Sequence, residues 1–77
     1  MSKLPVIPYR RLKKIAEAAG FTWINCEGSH NTFRNAAGKT IVLPDHGHNV
    51  IVRPLLRKIL RDLGITIEDY QHLLRKI

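Results

Sequence analysis

Residues 28–34 read Gly-Ser-His-Asn-Thr-Phe-Arg, so a histidine stands between a glycine turn and a short alternating segment. Side chains along a β-strand point alternately to its two faces. If Phe33 faces a core, then His30, Thr32 and Arg34 share the opposite face. A histidine side chain has an unperturbed pKa near ~6.5 and exchanges a proton at neutral pH, and a guanidinium suits an anionic substrate. The stretch predicts a strand with an acid–base group and a cation on its solvent side.

The segments beside this strand complete a sheet. Residues 21–26 are rich in aromatic and β-branched types, residues 31–35 alternate, and residues 39–43 contain Thr-Ile-Val. Residues 35–38, Asn-Ala-Ala-Gly, form a short turn with glycine at its end. Pro44 ends the third strand because it has no N–H to donate to a ladder. The pattern predicts a three-stranded antiparallel meander.

Amphipathic helices precede and follow the predicted sheet. From Tyr9, apolar residues recur at helical spacing among basic ones, and Gly20 supplies a left-handed C-terminal cap. A second helix starts near Pro54 and stops before Gly64, and Thr66 opens a short last helix with a capping box. The apolar side chains expected in the core are Leu12, Ile15, Phe33, Ile41, Leu43, Leu56, Ile59 and Leu60.

These elements predict an α+β fold with the order α-β-β-β-α and a short C-terminal helix. Both main helices lay their apolar stripes on one face of the sheet, and the other face stays open. The order matches the topology of the double-stranded RNA-binding domain, a module that reads shape, phosphates and 2′-hydroxyls. The predicted open face carries His30.

A strong positive charge narrows the classes of partner. The 77 residues carry thirteen Lys and Arg against six Asp and Glu, which gives a net charge of +7. Nucleic acid is the first partner to consider, an anionic membrane surface the second, and an acidic protein the third. A chain of this length makes one small domain, residues 1–77, without a cleft between domains.

The sequence also predicts a cytoplasmic protein. No apolar run approaches the ~18 residues that a membrane-spanning helix needs, and no signal peptide is visible after Met1. Cys26 is the lone cysteine, so it has no intramolecular partner for a disulfide. We therefore expect a reducing compartment and no membrane association.

Several short motifs recur in a characteristic order. They are Gly20-Phe21, then Gly28-Ser29-His30, then Pro44-x-His46, then Leu56-Arg57-x-Ile59-Leu60 before Gly64-Ile65. In this order and spacing, residues 9–70 resemble the HicA toxins, small RNA-cleaving proteins of bacterial toxin–antitoxin pairs. The resemblance implies a double-stranded-RNA-binding-like fold, metal-independent cleavage of mRNA without a cofactor, and neutralisation by a HicB-type antitoxin. It also implies that the motif histidine, His30, is catalytic.

The expected chemistry needs only one well-placed base. RNA carries its own nucleophile, so a histidine that removes the 2′-hydroxyl proton lets that oxygen attack the adjacent phosphorus. We expect His30 to be this base and His46 to be a candidate general acid or a plain loop histidine. The residues expected to contact the RNA are Gly28, Ser29, Arg34, Lys39, His46, Lys13 and Lys14.

Other interpretations stay open on the sequence alone. An exposed histidine at a strand start is often without function, and the basic helix faces are also compatible with simple solvation. A zinc site of Cys26, His30, His46 and His48 has enough ligands, although the spacings match no structural zinc pattern. The chain is also compatible with a non-catalytic RNA-binding module or a basic protein-interaction domain. RNA binding would weaken steeply with salt, which separates these two.

Overall fold

Three strands and three helices make up the computed structural model, which describes residues 4–77. The elements in chain order are α1 (Tyr9–Ala18), β1 (Thr22–Glu27), β2 (His30–Arg34), β3 (Thr40–Pro44), α2 (Arg53–Leu63) and α3 (Ile67–Leu74). The strands form one antiparallel sheet in the order β1-β2-β3. The predicted α+β fold, with the element order of the double-stranded RNA-binding domain and an extra C-terminal helix, is confirmed. Met1 and the first residues of the predicted domain lie outside the described residues.

The end of α1 explains why β1 begins one residue later than predicted. Gly20 has a φ of +91°, and its N–H donates to the carbonyl of Glu17, while the N–H of Phe21 donates to the carbonyl of Ala16. This pair of bonds is the Schellman motif that closes a helix with a left-handed residue. Phe21 is therefore part of the helix end, and its side chain is buried in the core.

Strand β1 contains an irregularity that the sequence pattern did not predict. Trp23 pairs with Phe33 and Asn25 with Thr32, so Ile24 has no partner on β2. One extra residue on one strand is the mark of a β-bulge. The bulge places Trp23, instead of Ile24, opposite Phe33 on the face of the sheet that the helices cover.

The predicted core is confirmed in full. All eight apolar side chains named from the sequence are buried, and both α1 and α2 contact β3. The burial pattern of β2 puts Phe33 inside and leaves Arg34 exposed. Seven more side chains join this core: Leu4, Ile7, Ala16, Phe21, Ile51, Leu63 and Tyr70.

The first described residues and α3 close the core from opposite ends of the sequence. The hydroxyl of Tyr70 donates to the carbonyl of Pro5 at 2.6 Å, and the guanidinium of Arg11 donates to the carbonyl of Leu74 at 3.2 Å. Thr66 accepts a 3.0 Å bond from the N–H of Asp69, which confirms the predicted cap of α3. The segment before α2 covers the core through Ile51, whose N–H donates to the carbonyl of Ile7.

We expect the stability of the fold to depend on Tyr70 at high pH. Burial raises the pKa of Tyr70 from 10.0 to about 12, and the nearby charge of Arg11 acts in the opposite direction. Because the folded pKa is the higher one, the stabilisation is complete below pH 10 and is lost as the pH rises through about 12. Tyr70→Phe has no phenol to ionise, so its free energy of unfolding should fall less steeply over this range. Urea unfolding of both proteins checks this, and parallel pH profiles would contradict it.

Candidate functional site

His30 is the first residue of β2 and follows a two-residue turn. Gly28 has a φ of +62°, and Ser29 has an ordinary negative φ. Glycine at the first central position is the requirement of a type II′ hairpin turn. The turn makes Glu27 and His30 a directly opposed pair across β1 and β2. The imidazole is exposed at the end of the sheet, as the sequence predicts.

The strand register fixes which side chains share a face with His30. We call this the open face, and its residues on β2 are His30, Thr32 and Arg34. Their partners on β1 and β3 point the same way. These partners are Glu27, Asn25 and Thr22 on β1, and Pro44, Val42 and Thr40 on β3. Val42 is 49% exposed at the middle of this face, whereas Pro44, the neighbour of His30 on β3, is buried.

Asn31 holds β2 in place next to His30. It is the one buried polar side chain among residues 4–77, and its Oδ1 accepts a 2.9 Å hydrogen bond from the indole N–H of Trp23. A buried amide is costly without a partner, so this bond fixes the side chain and the backbone that carries it. Asn31 was not among the residues predicted from the sequence. Asn31 and Phe33 are two residues apart, so their side chains share a face of the strand. This spacing could have predicted an amide on the core side.

The loop after β3 is attached to the glycine turn. The N–H of Asp45 donates to the carbonyl of Ser29 at 2.7 Å, and a carboxylate oxygen of Asp45 accepts a 2.9 Å bond from the N–H of Gly47. The thiol of Cys26 donates to the carbonyl of Gly28 at 3.1 Å. His46 is exposed in this loop. Because its neighbour Asp45 is bonded to Ser29, His46 lies at the same end of the sheet as His30.

Tyr9 lies on the helical side of this end of the sheet. It is the first residue of α1 and packs partly against the core. Burial raises the pKa of its phenol, and the negative charge of Asp45 adds to the effect. Tyr9 thus stays a neutral phenol at physiological pH, on the face opposite His30.

The predicted cations lie away from His30. Arg34 shares the open face but is four residues along β2, which corresponds to about 13 Å at the usual strand rise. Lys39 is exposed just before β3, where its N–H donates to Oδ1 of Asn35 at 2.9 Å. Both therefore belong to the far end of the sheet. The charged residue directly opposite His30 is Glu27, which the sequence analysis did not single out.

The two lysines named from the first helix lie in the helical layer. Lys13 is half-buried and Lys14 exposed on α1, which packs on the core side of the sheet. The structure thus places Gly28, Ser29, His30 and the loop that carries His46 at one end of the sheet. It does not bring Arg34, Lys39, Lys13 or Lys14 to the same place.

The residues of the alternative zinc site are not gathered into a cluster. Within residues 4–77, no three His, Cys, Asp or Glu side chains lie close enough together to hold a metal ion. Cys26 is occupied by its bond to the turn carbonyl at Gly28. In the same part of the chain, no helix has the length and apolar character needed to cross a membrane.

Fold and site together define a small basic α+β domain that presents a histidine from a glycine turn on an open sheet face. The sequence profile of a family described as "HicA toxin of bacterial toxin-antitoxin" matches residues 9–65, from the start of α1 to just beyond α2. The chain belongs to this HicA toxin family, and a toxin of such a system has an antitoxin as its partner. No curated protein sequence matches the chain.

The glycine turn predicts a specific pattern of substitution effects. A side chain at Gly28 would meet no atom within 4 Å, so the cost of Gly28→Ala comes only from its φ of +62°. Alanine at positive φ costs roughly 1 kcal/mol or more, while asparagine is one of the residues commonly found in such turns. We expect Gly28→Ala to lower the free energy of unfolding by about 1 kcal/mol and Gly28→Asn by less. Denaturant unfolding measures both, with Ser29→Ala as the control at negative φ. Equal losses in all three variants would contradict the turn geometry.

Proposed function

We propose that this toxin is an endoribonuclease that cleaves mRNA in the cytoplasm without a metal ion, with His30 as general base. The observation that carries the proposal is the exposed imidazole held at the end of β2 by the Gly28 turn and by the buried Asn31 beside it. A base that is exposed at the end of a sheet is accessible to a long polymer. Membership of a toxin family supplies the biological setting.

The reaction follows from the chemistry of RNA itself. His30 removes the proton of a ribose 2′-hydroxyl, and the 2′-oxygen forms a bond to the adjacent phosphorus. The bond from phosphorus to the 5′-oxygen of the next nucleotide breaks, and that oxygen takes up a proton. The products are a 2′,3′-cyclic phosphate and a 5′-hydroxyl end. A positioned base contributes typically ~10²- to 10⁴-fold to such a step.

His46 is the proposed source of the proton for the leaving oxygen. The loop that carries it is tied to the turn by the bond from Asp45 to Ser29, so both histidines belong to one end of the sheet. A second imidazole there supplies the proton donor of an acid–base pair. Loss of His46 should therefore slow the step without removing the base.

The proposed RNA contacts extend over the surface beyond the base. Arg34 and Lys39 at the far end of the sheet bind phosphates along the strand from the scissile one. Lys13 and Lys14 on α1 add to the attraction that a net charge of +7 exerts on a polyanion. The backbone at Gly28 and Ser29 lines the cleavage point. The negative charge of Glu27 beside His30 opposes phosphate binding at this point.

We further propose that the partner is a HicB-type antitoxin whose acidic surface covers the open face. Opposite charges on the two surfaces give fast, salt-sensitive association, and buried apolar contacts such as one at Val42 slow dissociation. Inhibition then follows because RNA no longer reaches His30. A complex that still cleaves RNA, with His30 as open to chemical modification as in the free toxin, would contradict this mode of inhibition.

The test of the catalytic role is His30→Ala. We expect RNA cleavage to fall at least ~100-fold and growth arrest on expression to disappear, because the base is lost. The free energy of unfolding should change by about 0.5 kcal/mol or less, since the side chain is exposed. His72→Ala, an exposed histidine on α3, is the matched control and should cleave like the wild type. Cleavage by His30→Ala at the wild-type rate would remove His30 from the mechanism.

The nucleophile is tested by changing the substrate. RNA with a single deoxyribose on the 5′ side of the cut should resist cleavage there, because the attacking 2′-oxygen is absent. The remaining products should end in a cyclic or 3′-phosphate, and a chelator should leave the rate unchanged. Mass spectrometry of the fragments, with and without the chelator, measures the loss of the cut, the chemistry of the new ends and the amount of cleavage. If the wild-type protein binds RNA without cutting it under these conditions, the non-catalytic RNA-binding module is favoured.

A further inference from the structure

A groove lies between the end of α2 and the start of α3. Its volume is about 310 Å³, and its lining residues are Arg57, Leu60, Arg61, Ile65, Thr66 and Ile67. Because the helices cover the core side of the sheet, the groove and the open face lie on opposite sides of the sheet. The proposed ribonuclease reaction makes no use of it.

The floor of the groove is apolar. Leu60 belongs to the core, Ile65 is half-buried, and Ile67 is 48% exposed at the first turn of α3. A volume near 310 Å³ lies at the small end of the ~300–1,000 Å³ typical of ligand pockets, so it suits one or two side chains. Exposed apolar side chains beside a concave surface are typical of a contact site.

Two arginines flank this floor. Arg57 and Arg61 are exposed and one helical turn apart, a spacing that makes them neighbours on one helix face. Among residues 4–77, the one ion pair joins Lys58 to Asp62 at 3.7 Å, so neither arginine has a carboxylate within 4.0 Å. A guanidinium binds a carboxylate through two parallel hydrogen bonds. The pair is therefore suited to two carboxylates on one chain.

We propose that this groove binds an acidic segment of a partner protein, which inserts a leucine-sized side chain between Arg57 and Arg61. The two arginines together with the apolar floor of the groove favour this occupant over RNA. A phosphate backbone would use the arginines but leave Leu60 and Ile67 without a partner, and no aromatic ring lines the groove for a base to stack on. The site would allow a protein to hold the toxin without touching His30.

The test uses a short fluorescein-labelled peptide built of Glu and Leu, with the wild-type 77-residue chain. We expect saturable binding, with NMR shifts confined to the amides of residues 57–67. Arg61→Glu and Ile67→Ser should each weaken binding at least five-fold. Arg10→Glu, the same charge change at an exposed site on α1, should have no effect. Circular dichroism checks that each variant is folded.

Two control ligands separate the alternatives. A peptide with Ser in place of Leu should bind at least five-fold more weakly, because the floor is then unfilled. A short RNA duplex should bind Arg61→Glu and Arg10→Glu equally well. Shifts outside the groove, equal weakening by Arg10→Glu, or selective loss of RNA binding in Arg61→Glu would each overturn the proposal. RNA cleavage by Ile67→Ser at the wild-type rate is expected, which keeps this site distinct from His30.

Discussion

The burial of Phe33 is the constraint on which the site depends. It fixes the parity of β2, and a slip of one residue would exchange the two faces of the strand. With Phe33 inside, His30 and Arg34 face solvent and Asn31 faces the core. The same burial holds β2 against β3 through Ile41, its cross-strand partner. The position of one aromatic ring in the core thus determines that the imidazole is exposed.

Two polar attachments then make the exposed position rigid. The bond between Trp23 and Asn31 anchors the strand on one side of His30, and the bond between Asp45 and Ser29 anchors the turn on the other. Neither bond touches the imidazole. They act on the backbone before and after it, which is how a surface side chain is held at a defined place without being buried. Such positioning is what the proposed role of His30 as a base requires.

Much of this structure could be predicted from the residues because local signals agree with one another. The helix periodicities, the glycines after α1 and α2, and the alternation in β2 each specify one element, and together they leave one architecture. The pairing of Glu27 with His30 could also have been predicted, because a two-residue turn pairs the residues that flank it. The bulge at Ile24 could not be predicted, because an extra residue in an edge strand leaves unchanged the residue types that mark the segment as a strand. Without it, Trp23 would pair with Arg34 on the open face and could not bond to Asn31. The shared face of His30 and Arg34 was predicted, but sharing a face says nothing of the roughly 13 Å that separate them along the strand.

The bond from Tyr70 to Pro5 has a consequence for the order in which the domain forms. It joins residues 65 positions apart, and the bond from Arg11 to Leu74 spans 63. During synthesis the first helix and the sheet leave the ribosome long before α3 does, so these closing contacts have no partner until then. The nascent toxin therefore reaches its final stability only after nearly all of the described chain has been translated. The contacts of Tyr70 and Arg11 thus make the closing of the core depend on α3, the last helix of the described chain.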